Sequence, residues 1–136
     1  MITITIIIIN KMRLPYTCSG KVIKGFGRGS KELGFPTANL DIDILSIGDG
    51  VYCGYAKLED DTLQKMVMSI GNNPHYGNEK RSFEVHILKH YDNDFYGQDL
   101  TITICGRIRD MEKYNSVDEL IQAINKDIEY AKYYLD

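Results

Sequence analysis

Too few cysteines, too little positive charge and no long apolar run exclude several classes of protein at the outset. The three cysteines, Cys18, Cys53 and Cys105, are far apart, form no CxxC pair and are odd in number. That pattern argues against a disulfide framework or a cysteine zinc site and points to a reducing compartment, here the cytoplasm. The longest apolar run, Ile6 to Ile9, falls far short of the roughly 20 residues that span a bilayer. No basic segment followed by a cleavage site is present either, so neither membrane nor export is expected. With 16 basic against 19 acidic residues, the net charge of −3 gives no positive field for non-specific nucleic-acid binding. No alternation of strands and helices suggests a Rossmann-type sheet.

What is present is ordinary globular material. The chain of 136 residues, 43% apolar and 26% charged, has the size and composition of one domain with one core. Residues 1–13 read as an N-terminal extension, because Met1 to Asn10 is almost wholly isoleucine and threonine. It is either an added strand or a leader outside the fold, and the functional domain is expected over 14–136.

From Leu14 onward short strands alternate with turn material. Val51–Leu58 and Lys65–Ile70 flank Glu59-Asp60-Asp61-Thr62, a hairpin-length acidic turn. Ser82 to Lys89 alternates, with Phe83, Val85 and Ile87 on one face and Glu84, His86 and Leu88 on the other. Leu100–Ile108 alternates again, after a polar and aromatic stretch, 90–99, whose pivot is expected at Gly97. The period then changes to 3.6, with Val117, Leu120, Ile121, Ile124, Ile128, Ala131 and Leu135 on one stripe. Ser116 and Glu119 form a capping box, so a helix is predicted over about 117–134. Short strands followed by one terminal helix predict a mainly β fold: a small antiparallel β-barrel with the helix outside it or across one end.

The chemistry-bearing residues are concentrated in two places. Gly25-Phe26-Gly27-Arg28-Gly29-Ser30-Lys31 is a surface loop whose glycines would let backbone N–H groups approach phosphate oxygens, with Arg28 or Lys31 adding charge. It is not a Walker A loop, since Lys31 is followed by Glu32 and Leu33. Pro36 next fixes an extended segment in which Thr37 and Asn39 share a side; their neutral oxygens either bond backbone in a turn or complete the shell of a phosphate-bound Mg²⁺. Glu84, mid-strand on the same face as His86, is either a solvated charge or a pocket carboxylate able to orient an alcohol and take its proton. His75 and His90 have no second ligand at metal-binding spacing. Tyr91-Asp92-Asn93-Asp94-Phe95-Tyr96-Gly97 reads as a lid over a flat ligand or a packed loop. Arg28, Lys31, Lys80 and Arg81 leave an oligonucleotide-binding barrel as a distant alternative.

Taken together, Pro15-Tyr16-x-Cys18-x-Gly20-x-Val22-x-x-Gly25-Phe26-Gly27-Arg28-Gly29-Ser30-Lys31-x-Leu33-Gly34-x-Pro36-Thr37-Ala38-Asn39 resembles the start of the eukaryotic riboflavin kinases, the monofunctional flavokinases. Lys65-Met66-Val67-x-Ser69-Ile70-Gly71, Asn73-Pro74-x-Tyr76, Glu84-x-His86-Ile87 and Asp94-Phe95-Tyr96-Gly97 are similar to later blocks of that family, in order. The terminal helix, with Asp127-Ile128-Glu129-x-Ala131-Lys132, is similar too, so the resemblance covers about residues 14–135. It implies a six-stranded Greek-key barrel that transfers the γ-phosphate of ATP to the ribityl hydroxyl of riboflavin, giving FMN and ADP. By the same resemblance Gly25 and Lys31 would lie on the phosphates, Thr37 and Asn39 would bind Mg²⁺ (with Zn²⁺ or Mn²⁺ as alternatives), and Glu84 would be the base. Thr37 would also border the nucleotide, His86 would lie near it, and Arg109, Phe95 and Tyr96 would serve the flavin. Arg109-Asp110-Met111-Glu112 departs from the family's usual Arg-Pro-Glu at that point. Bacterial relatives add an adenylyltransferase for which 136 residues leave no room, so the product is expected to be FMN and the protein a monomer without nucleic-acid partners.

Overall fold

Six stretches pair into a sheet that closes on itself in the computed structural model, which describes residues 13–24, 34–72 and 81–135. The strands are β1 (Tyr16–Ile23), β2 (Ala38–Leu40), β3 (Gly50–Leu58), β4 (Gln64–Gly71), β5 (Ser82–Ile87) and β6 (Asp99–Arg109), followed by helix α1 (Val117–Tyr134). Their order round the closed barrel is β1-β2-β5-β4-β3-β6, and every pairing is antiparallel. β3, β4 and β5 are successive neighbours and β6 returns beside β3, the Greek-key order. The expected mainly β barrel with one terminal helix is what forms. The N-terminal stretch 1–12, the glycine loop with Gly25 and Lys31, and residues 73–80 lie outside the described residues.

The two-residue alternation decides which side chains fill the barrel. Phe83, Val85 and Ile87 point inward from β5, and Leu100, Ile102 and Ile104 from β6, to join Met66, Met68 and Ile70 of β4. All are buried, and each large side chain removed from water in this way contributes about 1.5–3 kcal/mol. The short β2 closes the ring, pairing with β1 at Val22 and Ile23 and with β5 at Val85 and Glu84. A second, smaller cluster sits outside the barrel, where Ala131 and Leu135 at the end of α1 pack on Val51, Cys53 and Val67.

The helix occupies the predicted residues. The Ser116 hydroxyl accepts from the Glu119 N–H at 3.2 Å, while the Glu119 carboxylate accepts from the Asn115 N–H at 3.1 Å, one residue earlier than the usual reciprocal bond. The apolar stripe is only partly used. Ala131 and Leu135 are buried and Ile128 packs beside them, whereas Leu120, Ile121 and Ile124 are half-buried and Val117 is 58% exposed, so the C-terminal half of α1 is the more deeply buried. Asp127, in that buried half, makes a bidentate ion pair with Arg109 at the end of β6, with Nε to Oδ1 at 2.9 Å and Nη2 to Oδ2 at 2.8 Å. One polar link therefore fixes the helix to the last strand.

Candidate active site

Glu84 is placed by the sheet register. Asn39 is its Cα partner across β2–β5, and Ser69 its partner across β4–β5. Because Phe83 and Val85 fill the interior, Glu84 faces out of the barrel, and successive Cα partners continue that row: Ile23, Asn39, Glu84, Ser69, Val51 and Arg109. Direct partners stand roughly 4.5–5.5 Å apart at Cα, so Asn39 and Glu84, 45 positions apart in sequence, are immediate neighbours.

Thr37 reaches the same place by another route. Gly34, at φ 90°, turns the chain into the extended run Phe35-Pro36-Thr37 that leads into β2. The Thr37 hydroxyl donates to Glu84 Oε1 over a long 3.5 Å. His86, two residues beyond Glu84 on the same face, holds this run in place: its Nδ1 lies 2.7 Å from the Pro36 carbonyl and its ring stands edge-on to Phe35 at 6.0 Å. A carbonyl only accepts, so Nδ1 carries the proton and, in the neutral ring, Nε2 is left as an acceptor.

The electrostatics follow from the position. Glu84 is half-buried, and burial pushes its carboxyl above the ordinary value while the Thr37 hydroxyl opposes the shift. A carboxylate so placed is more basic than one in water and keeps lone pairs free. Thr37 and Asn39 add neutral oxygens beside it, a donor set too small and too weakly charged to hold a divalent ion alone. Among the described residues no group of three or more His, Cys, Asp or Glu side chains is placed to do so. The chemistry of this donor set fits an ion that arrives with phosphate oxygens and water.

The remaining expected residues do not all converge. Arg109 shares the outer row but stands three strand spacings from Glu84, about 14 Å, and its guanidinium is engaged by Asp127 and by the Asp110 carbonyl at 3.0 Å. Phe95 and Tyr96 precede β6, which begins at Asp99 and ends at Arg109, so they lie at its opposite end, on the order of 30 Å away at the strand rise. The structure does not bring Arg109 together with these two aromatics. Phe95 packs on the barrel core, whereas Tyr96 is exposed. Their turn pivots at Gly97, φ 84°, and bonds to β1 next to the pair Ile23–Asn39, with Gly97 N–H to the Val22 carbonyl at 2.7 Å. Arg81, a candidate for nucleic-acid phosphates, is committed elsewhere: it donates to the carbonyls of Ile44 and Ile47, both at 2.6 Å, and to Asp49. Two features had no local sequence signal, the Arg109–Asp127 pair and a carboxylate at Asp61 that ties loops together.

The fold and site together are those of a small closed β-barrel with one half-buried carboxylate on its outer face, flanked by a hydroxyl and an amide. The comparisons with known proteins specify the family. The family model described as "Flavokinase: Riboflavin kinase" matches residues 12–135. The human riboflavin kinase is 46% identical over 124 residues, covering 88% of this chain and 80% of the human one. The Trypanosoma brucei riboflavin kinase structure superposes with TM-score 0.73 at 24% identity, covering 89% of this chain and 80% of that one, and at that identity supports the fold. A Streptococcus pneumoniae structure named as a macrolide-efflux protein superposes with TM-score 0.74 at 32% identity; the match covers 87% of this chain but spans only 38% of that one. The chain belongs to the riboflavin kinase family, and is a kinase.

Proposed function

We propose that the chain transfers the γ-phosphate of ATP to the 5′-hydroxyl of the ribityl chain of riboflavin, giving FMN and ADP, with Glu84 as positioning group and base. The observation that carries this reading is the half-buried carboxylate of the outer face, raised in basicity by burial and set beside Thr37 and Asn39. The ribityl oxygen forms the new bond to the γ-phosphorus as the bond from that phosphorus to the bridging oxygen of ADP breaks, and the hydroxyl proton passes to a Glu84 oxygen. Positioning does most of the work in phosphoryl transfer; in a loose transition state the proton leaves late, so Glu84 orients first and accepts afterwards.

Thr37 and Asn39 would hold a divalent ion jointly with the phosphates, and that ion, Mg²⁺ or an alternative, would neutralise charge on them. Gly25 and Lys31, outside the described residues, are assigned to the phosphates by family resemblance. His86 supports this side twice, by fixing Pro36 ahead of Thr37 and by leaving Nε2 as an acceptor for the nucleotide. The turn of Phe95 and Tyr96 borders the same side through its bonds to β1, which favours a nucleotide contact over the expected flavin contact. Arg109 keeps the flavin assignment on family resemblance alone, since Val51, between it and Glu84 on the outer row, is covered by the end of α1. In this reading the protein works as a cytoplasmic monomer.

The test is a metal titration of FMN formation. Thr37→Ala and Asn39→Ala should each raise the Mg²⁺ needed for half-maximal rate about tenfold or more, the loss of one charge-assisted contact. An unchanged titration in both would refute the ligand assignment.

A further inference from the structure

Asp61 sits in the turn between β3 and β4, on a different connection from every residue assigned above, and its carboxylate accepts from three separate groups. Lys89 Nζ donates to both of its oxygens at 2.9 Å, the Tyr91 hydroxyl donates to Oδ2 at 2.8 Å, and the Thr62 N–H donates to Oδ1 at 2.8 Å. These donors, Lys89 and Tyr91 foremost, hold its carboxyl down at about 2, so it is an ionised acceptor throughout the neutral range.

What Asp61 holds leads toward the nucleotide side of the site. Lys89 also lies over the Tyr91 ring, 5.2 Å from its centroid, so one ion pair and one hydrogen bond fix the same aromatic. Tyr91 stands edge-on to Phe95 at 5.2 Å, and both rings pack on the barrel core. Past Phe95 the chain bonds to β1 twice, Gly97 N–H to the Val22 carbonyl at 2.7 Å and Val22 N–H to the Gln98 carbonyl at 2.9 Å. Val22 precedes Ile23, the Cα partner of Asn39. The far end of the segment is tied separately, since the Asp99 N–H donates to Glu59 at 2.8 Å and Lys21 pairs with Asp99 at 3.0 Å. Removing Asp61 would therefore free the Tyr91 hydroxyl and loosen its ring against Phe95, while the start of β6 stays anchored.

We propose that Asp61 is a positioning residue for nucleotide binding: by fixing Tyr91 it sets the Phe95–Gly97 turn against the end of β1, where that turn borders the nucleotide. The inference rests on the proposed function for the identity of the ligand, and on the contacts above for the brace itself.

Two arms test it. In steady-state assays with ATP and riboflavin varied separately, Asp61→Asn and Tyr91→Phe should each raise KM for ATP about five- to tenfold, the scale of one ordinary hydrogen bond, with KM for riboflavin and kcat within about twofold. A melting temperature that falls while both KM values stay put would make the contact a stability clamp and overturn the proposal; Tyr91→Phe, which removes one oxygen, keeps the test alive if Asp61→Asn does not fold. The second arm needs no kinase activity. The chain has no tryptophan, so Tyr96→Trp places a single reporter on the turn. Adding Asp61→Asn in that background should shift its emission in the free protein, and identical spectra would refute the brace. Failure of the unsubstituted chain to make FMN would count against the proposed function and leave this spectrum to decide the brace.

Discussion

Replacing Glu84 by glutamine should abolish most activity and stabilise the protein, two effects of one half-buried charge. The amide of the Glu84→Gln variant would keep the shape of the side chain and an acceptor for the Thr37 hydroxyl, but lose basicity and charge. General-base contributions run from about 10² to 10⁴ in rate; a late proton transfer puts this one near the lower end, about 10²-fold in kcat, or about 2.7 kcal/mol. KM for ATP and riboflavin should change by no more than a few-fold. The stability effect has the opposite sign. Burial raises the folded-state pKa of Glu84 above its ordinary value of 4.5. The folded protein therefore binds this proton more tightly than the unfolded chain does, and stability is greatest below the unfolded pKa and declines as pH rises through the folded one. At pH 7 the ionised carboxylate is a net liability that glutamine removes, so the variant should melt higher than the parent at pH 7 and the gap should narrow toward pH 4. The same displacement puts the acid limb of the parent's kcat/KM, which reports the free enzyme, above 4.5 and removes it in the variant. Steady-state FMN formation and thermal melts at a series of pH values read both effects. A near-normal kcat would refute Glu84 as the base, and a lower melting temperature at pH 7 would refute the desolvation argument.

Two further changes probe the frame around the site. Gly54→Ala should prevent folding or cost at least about 3 kcal/mol in urea unfolding, because a Cβ there would overlap the Thr103 carbonyl oxygen in the β3–β6 pairing and sit 3.1 Å from the Cys105 nitrogen; an unchanged midpoint would contradict that packing. Arg109→Met should cost about 3–5 kcal/mol by leaving Asp127, whose side chain is 5% exposed, without its partner, whereas Arg109→Met with Asp127→Leu should recover much of that stability but not riboflavin affinity. Recovery of flavin affinity in the double variant would remove Arg109 from the flavin side.

Local pattern made much of the fold legible. Inward Phe83, Val85 and Ile87 against outward Glu84 and His86 was readable because alternation on a half-buried strand has a fixed period. Ser116 and the 3.6-residue stripe likewise defined the helix, although only the packing revealed that its burial deepens toward the C-terminal end. β2 shows no strand signal in the sequence, since three residues, Ala38–Leu40, are too few to establish a period. The residue types at the site were legible as well, but not their company. Only the register sets Asn39 beside Glu84, whereas the separation of Arg109 from Phe95 and Tyr96 comes from the length of β6, which the alternating run Leu100–Ile108 already marked as one strand. Arg109 with Asp127, Arg81 with the Ile44 and Ile47 carbonyls, and Asp61 with Tyr91 each join a charged side chain to a partner 18 to 37 positions away. No periodicity records such pairs, and for Arg81 the pairing removed a candidate that composition alone had left open.

The most direct test of the central claim is a product assay: the purified chain with riboflavin, ATP and Mg²⁺, the flavins separated by chromatography, and a parallel reaction with EDTA. FMN that forms only when ATP and the metal are both present is the result expected. Riboflavin that binds but is recovered unchanged would contradict the account and identify the barrel as a flavin-holding protein.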